Sequence, residues 1–231
     1  MQRFIPFLLA AIALGAVSFA STVLVRPESY FEKGSKLNFS ITSENGAKSY
    51  SVVKIKSVID RGSITEIYAE DQREDDLHKS TLGYRLTYFS DSLSWCADAF
   101  NHLNIPLAYS SNFFLVLESD SLVYPYAMKV GDTLRPASAS EKIGATDPNE
   151  RYVRIINRKV VATEKVAFGG QNHDAFRIEA VLFKGSSTNY GALGKIPNET
   201  KYTFTEWFVP SKGVVKSELK SATGVTTAVL Q

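Results

Sequence analysis

Very little in these 231 residues offers reactive chemistry. Cysteine occurs once, at Cys96, so no disulfide can form within the chain and stability must come from a core. Set between Trp95 and Ala97, Cys96 reads as a small buried apolar side chain, because the flanking sequence supplies no base to activate a thiol. Histidine is nearly as scarce. His78, His102 and His173 stand apart in polar stretches, which gives no ligand spacing for a metal and no positive sign of a Ser-His-Asp set. The chain has no Gly-x-Ser-x-Gly elbow, no His-Glu-x-x-His pair, no phosphate-cradling glycine loop and no Cys-x-x-Cys. A non-enzymatic protein without cofactor or metal is the expectation.

Charge of one sign is missing too. The 26 basic and 24 acidic residues nearly cancel, and no lysine–arginine run occurs. That excludes an electrostatic case for nucleic acid or for anionic membranes. The densest charge, Glu70 to Asp76, lacks the Asp-x-Asp-x-Asp-Gly spacing of a calcium loop and reads as a solvated loop or hairpin tip.

What is present begins with an apolar leader. Arg3 precedes an uninterrupted apolar run from Phe4 to Val17, and Ser18 and Ala20 offer the small residues of a cleavage site. Residues 1–20 therefore read as a signal peptide, cut after Ala20, with 21–231 as one domain. The alternative is an uncleaved anchor, since the run continues through Val23 to Val25 and about 20 apolar residues span a bilayer. Pro6 and the small-residue site argue for cleavage. No cysteine stands directly after the run, so a lipid anchor of its own is not expected, and the expected location is the periplasm or the exterior.

Downstream, alternation of apolar and polar residues marks strand after strand. Leu37, Phe39 and Ile41 share one face, Asn45-Gly46 suits a hairpin turn with positive φ at both centres, and Tyr50 to Val58 returns. Asp60-Arg61-Gly62 turns the chain into Ser63–Ala69. Gly83–Ser90 and Asn112–Glu118 are further strands, and the spacing of Leu93, Ala97, Phe100 and Leu103 allows a short helix near 91–104. Arg151–Phe168 is too long for one typical strand and should bend near Asn157-Arg158. Ala175–Lys184, Lys201–Trp207, Val214–Leu219 and Thr226–Leu230 complete about ten strands. Ala137–Glu150 and Gly185–Thr200 read as loops. The expected fold is all-β and mainly antiparallel, one wide curved sheet forming a half-barrel or open barrel.

Aromatic residues are plentiful: eleven Tyr, fourteen Phe and two Trp. Tyr84 and Tyr88, and Phe204 and Phe208 around Glu206, form rows on one face. They either fill the core or line a concave face that takes a hydrophobic or acylated ligand.

Three segments carry a family resemblance: Tyr124-Pro125 through Val130-Gly131-Asp132-Thr133-Leu134, Val161–Val166 with Ala175–Ile178, and Glu206-Trp207-Phe208-Val209-Pro210-Ser211-Lys212-Gly213-Val214-Val215-Lys216. Together they resemble the TapB-like domain of exported Bacteroidota proteins. The chain departs from that pattern at Gly169–Asp174. The resemblance implies a curved antiparallel sheet similar to periplasmic lipoprotein carriers and localisation factors, and it assigns no catalytic residue. Read physically, Glu206, Trp207, Pro210, Gly213 and Lys216 mark a structural corner, with Glu206 and Lys216 pairing across an exposed hairpin face. The leading expectation is a non-enzymatic envelope protein that takes a hydrophobic or acylated ligand in the curve of the sheet. The alternative is a structural or adaptor protein contacting other envelope proteins, and a third reading is an enzyme acting on envelope polymers.

Overall fold

A computed structural model describes residues 31–73, 81–95, 114–143, 149–189 and 194–231. They form thirteen strands. The first five are β1 (Lys36–Thr42), β2 (Lys48–Asp60), β3 (Thr65–Arg73), β4 (Thr81–Tyr88) and β5 (Ser92–Trp95). Next come β6 (Phe114–Ser119), β7 (Leu122–Pro125), β8 (Ala137–Ile143) and β9 (Asn149–Phe168). The last four are β10 (Gln171–Asn189), β11 (Lys195–Val209), β12 (Gly213–Lys220) and β13 (Val225–Leu230).

All thirteen belong to one sheet, in the order β6-β8-β9-β10-β11-β12-β13-β1-β2-β3-β4-β5-β7. Their pairings are antiparallel. The two outermost strands, β6 and β7, are consecutive in the chain, separated only by Asp120 and Ser121. The sheet must therefore curl until its two ends meet. The result is a nearly closed barrel with one unsealed seam, the architecture that alternation and strand number led us to expect. Curling removes most of the exposed strand edge that a flat sheet of this width would present.

Along the strands one face points inward. Leu37 and Phe39, Val53 and Ile55, Ile67 and Ala69, Leu86 and Tyr88, Tyr124, Val153 and Ile155, Ile178 and Leu182, Phe204 and Phe208, and Leu230 join in one core. Phe31 enters it at one end, its ring edge-on to Tyr88 at 6.1 Å. Each large side chain buried this way contributes about 1.5–3 kcal/mol. Among the described residues no helix is long and apolar enough to cross a membrane.

Several expectations need correction. Ser92–Trp95, at the start of the stretch read as a short helix, pairs with both β4 and β7 as a strand. Residues 96–104 lie outside the described residues, as do His78, His102 and Cys96. The two polar stretches read as loops are largely strand: Ala137–Ile143 is β8, and the β10–β11 hairpin runs out to Asn189↔Lys195. In β8, Ala137 and Ala139 are buried while Ser138 between them faces out, so alternation persists with small residues that carry little hydrophobic signal. The Asn45-Gly46 turn has only Gly46 at positive φ (79°). Its hydrogen bonds run from Gly46 N to Ser43 O and from Ser43 N to Ala47 O, so Glu44 and Asn45 are the turn centre and Gly46 the left-handed residue that follows.

The bend in β9 falls where the sequence places it. Asn157 takes a left-handed φ of 54°, and the register against β10 slips between Lys159 and Ile156, with a second slip at Val161. Such bulges reverse which side chains face in. Before the bend Val153 and Ile155 are buried; after it Arg158 and Val160 are.

Candidate functional site

That reversal puts a guanidinium inside the barrel. Arg158 is 0 % exposed, and Glu206 from β11 is 0 % exposed beside it. Arg158 Nη2 donates to Glu206 Oε2 at 3.4 Å. The Tyr124 hydroxyl donates to Glu206 Oε1 at 2.5 Å. The guanidinium lies 4.7 Å from the centre of the Tyr124 ring, whose other neighbour is Phe208, stacked at 4.6 Å and 7°. An arginine, a carboxylate and a phenol thus form one compact cluster walled by aromatic carbon.

Arg158 also spans the seam. Its Nη1 donates to the carbonyls of Val123, on the outer edge of β7, at 3.3 Å and of Arg135, just before β8, at 3.1 Å. Where two neighbouring strands would exchange backbone hydrogen bonds, a side chain supplies the donors. The segment between β7 and β8 completes the closure. Gly131 N bonds Val160 O at 2.8 Å, Val160 N bonds Asp132 O at 2.9 Å, and Leu134 N bonds Arg158 O at 2.8 Å. Gly131 has a φ of 104°, so the Val130-Gly131-Asp132 turn depends on glycine. Met128 and Leu134 anchor it in the core.

Burial governs the electrostatics. It raises the Glu206 carboxyl above its ordinary value, and the Arg158 charge and the Tyr124 hydrogen bond pull in the other direction without cancelling it. Burial, and then the Glu206 charge, push the Tyr124 phenol well up, so it stays a hydrogen-bond donor. Arg158 Nε finds no partner among the described residues. Through these bonds the Glu206 carboxyl ties β7, β9 and β11 together.

The residues singled out in the sequence are placed as follows. Tyr88, Phe204 and Phe208 are core residues, exposed by 1, 0 and 0 % respectively. The Tyr84 backbone lies in β4, and its side chain falls outside the described residues. Glu206 does not pair with Lys216, because Trp207 is the residue opposite Lys216 while Glu206 faces Ser217 across β11–β12. The exposed-face pairing fails because residues 204, 206 and 208 share the inward face. Lys216 instead lies 4.1 Å over the Trp207 ring and bonds Glu218 at 2.8 Å. On this outer face the Trp207 indole N–H donates to Glu164, which also pairs with Arg177 at 3.5 Å. Pro210 follows Val209 in a turn closed by Lys212 N to Val209 O at 2.9 Å, and Gly213 has a φ of 80°. His173 stacks on Phe168 at 4.1 Å at the β9–β10 turn. Among the described residues no three His, Cys, Asp or Glu side chains gather as metal ligands would.

Arg158 escaped the sequence reading. A period-two count from Val153 and Ile155 assigns it to the outer face, and only the bulge at Asn157 turns it in. Its signal was the same Asn157-Arg158 bend, read for geometry but not for parity.

The class defined by this geometry is an antiparallel, nearly closed barrel whose described inward side chains form one core, with one side-chain-bridged seam. No protein-family model matches the chain, and no curated protein does. Two solved structures share its fold. One is a provisionally assigned exported protein of Bacteroides fragilis with a YmcC-like fold, at TM-score 0.67 and 16% identity, covering 90% of this chain and 97% of that one. The other is a provisionally assigned lipoprotein of Parabacteroides distasonis, at TM-score 0.64 and 14% identity, covering 87% and 96%. At these identities the likeness is one of fold.

Proposed function

We propose that this chain is a non-enzymatic exported envelope protein with a structural or adaptor role, working through its outer surface. The observation that carries the reading is the packed core of the described residues: Tyr88, Phe204 and Phe208 are at most 1 % exposed and belong to one continuous cluster. A concave face that received a guest would leave such side chains accessible. Among the described residues Glu206 is the one buried carboxylate, and its bonds to Arg158 and Tyr124 support a structural and not a catalytic use. Export is supported by the leader-like N-terminus, by the TapB-like resemblance, and by the names of the two fold neighbours, an exported protein and a lipoprotein.

Carriage of a hydrophobic or acylated guest is the rival reading, and it requires the barrel to open and core side chains to move. Cross-linking in intact cells separates the two. The adaptor reading expects a reproducible protein partner attached through outward-facing residues. Recovery of an acyl lipid cross-linked to core positions, with no protein partner, overturns it.

A further inference from the structure

The two rims of the barrel expose different chemistry. One rim carries the β2–β3 turn, the β4–β5 turn and the start of the β7–β8 connection: Thr65 lies opposite both Asp60 and Tyr88, and Tyr126 N bonds Asp91 O at 2.8 Å. Each of the three presents a large apolar side chain to water. Ile59, at the foot of the first turn, is 37 % exposed, Phe89 in the second 38 %, and Val130 in the third 59 %. The described turns of the opposite rim, Ser43–Ala47 and Ser221–Gly224, present Glu44, Asn45, Ser221 and Thr223, which hydrogen-bond within and between the two turns. Of the other exposed large apolar residues Val58 adjoins Ile59, while Tyr50 and Val225 lie away from this rim.

The chain enters the barrel at this same rim. Phe31 is buried with its ring edge-on to Tyr88, the last residue of β4. Gly34 N bonds Ile55 O and Ile55 N bonds Ser35 O, each at 2.9 Å, which fixes the entry segment against β2. In sequence, residues 21–30 join Phe31 to the apolar leader and its cleavage site. Ten residues span at most about 35 Å at full extension. The 19 residues of β10, by contrast, measure roughly 60 Å along the strand. A barrel that folds while the leader is still held in the bilayer is therefore tethered with this rim toward the lipid.

We infer that this rim is a lipid-docking surface, which seats Ile59, Phe89 and Val130 in the headgroup region of an uncharged phospholipid bilayer. The side chains around them select that partner. Arg61 and Lys129 stand among Asp60, Asp91 and Asp132, all exposed, so no basic patch is offered to anionic headgroups. Burial of apolar surface is then the attraction. Three apolar tips on separate connections, with charged residues between them, form shallow wedges. A protein interface centres on a contiguous apolar core, whereas a fluid lipid surface accepts wedges spaced around a rim. The tether argument rests on the export reading given above; the exposed tips do not, and no protein partner is needed.

The test is hydrogen-exchange mass spectrometry of the protein, purified in its exported form, with and without phosphatidylcholine vesicles. The expected result is slowed exchange around Ile59, Phe89 and Val130, with the Ser43–Ala47 and Ser221–Gly224 turns unchanged. Changing Ile59→Ser, Phe89→Ser and Val130→Ser together should weaken vesicle binding, read by flotation, by about tenfold or more. Changing Tyr50→Ser and Val225→Ser together should leave it as it was. No slowing at the three connections overturns the inference, whether or not the variants fold. So does an affinity the triple variant leaves unchanged, or binding that requires phosphatidylglycerol and vanishes in high salt. Each of these failures leaves the adaptor reading standing, because cross-linking to a protein partner tests that separately.

Discussion

Replacing Arg158 by methionine should create a pH-dependent defect that a second substitution, Glu206→Gln, relieves at neutral pH only. In the wild type, burial already holds the Glu206 carboxyl above its ordinary 4.5, and Arg158 is the main influence pulling it back. At 3.4 Å the pair's attraction is about 5 kcal/mol for an effective dielectric of about 20. Without Arg158, Glu206 escapes a lone buried charge by staying protonated in the folded state. Holding a proton at pH 7 on a group that ionises at 4.5 when unfolded costs at most about 3.5 kcal/mol, at about 1.4 kcal/mol per pH unit. The sign follows from the raised folded value: the associated stability is fully present below pH 4.5 and is lost as pH rises through the folded pKa. Arg158→Met should therefore be up to about 3.5 kcal/mol less stable than Arg158→Met/Glu206→Gln at pH 7, with the gap falling below about 0.5 kcal/mol near pH 4.5. Both variants share a pH-independent loss, because the carbonyls of Val123 and Arg135 lose their donor. Urea unfolding followed by tryptophan fluorescence at the two pH values measures the difference. A gap that is absent at both, or identical at both, refutes the assignment of Glu206 as a buried partner of Arg158.

Three further expectations concern particular positions. Gly185→Ala should destabilise the chain by about 1–3 kcal/mol in the same unfolding assay, since its Cβ would fall 2.5 Å from the Asn198 carbonyl oxygen and 3.1 Å from the Glu199 Cα. Asn157→Gly should be close to neutral while Asn157→Val loses about 1–2 kcal/mol, because the left-handed φ of 54° suits glycine and penalises a β-branched residue. Thermal melts of the two variants make that comparison. Glu44 accepts hydrogen bonds from Thr223 at 2.6 Å and Ser221 at 2.7 Å, tying the β1–β2 turn to the β12–β13 turn. Those bonds, Thr223's first, lower its pKa from 4.5, so its contribution is present above pH 4.5 and is lost as pH falls through the folded value. Glu44→Gln should flatten that acid limb in a pH series of melting temperatures.

The barrel was legible because its strands carry large apolar residues every second position. Leu37, Phe39 and Ile41 announce β1, and Ile178 and Leu182 announce part of β10, with no need of tertiary information. β8 was not legible, since Ala137 and Ala139 face the core with so little bulk that Ser138 and Ser140 dominate the pattern. The outer ends of β10 and β11 were hidden in the same way: Gly185, Ser187, Pro197 and Asn198 favour turns, and only their mutual ladder makes them strand. For the polar cluster the difficulty was parity. Glu206 sits between Phe204 and Phe208, and alternation alone places all three inward, yet its charge suggested an exposed partner in Lys216. Its actual partner, Arg158, is 48 positions away and faces inward only because Asn157 adopts a left-handed bulge. No local pattern pairs residues across a bulge and two strands.

The packed core of the described residues is the claim on which the functional reading turns, and native mass spectrometry of the protein purified from the cells that make it tests it most directly. A barrel packed by Tyr88, Phe204, Phe208 and the Arg158–Glu206 pair predicts a spectrum of the bare chain, free of acyl-lipid adducts. A stoichiometric lipid retained through purification and released only on unfolding would contradict it.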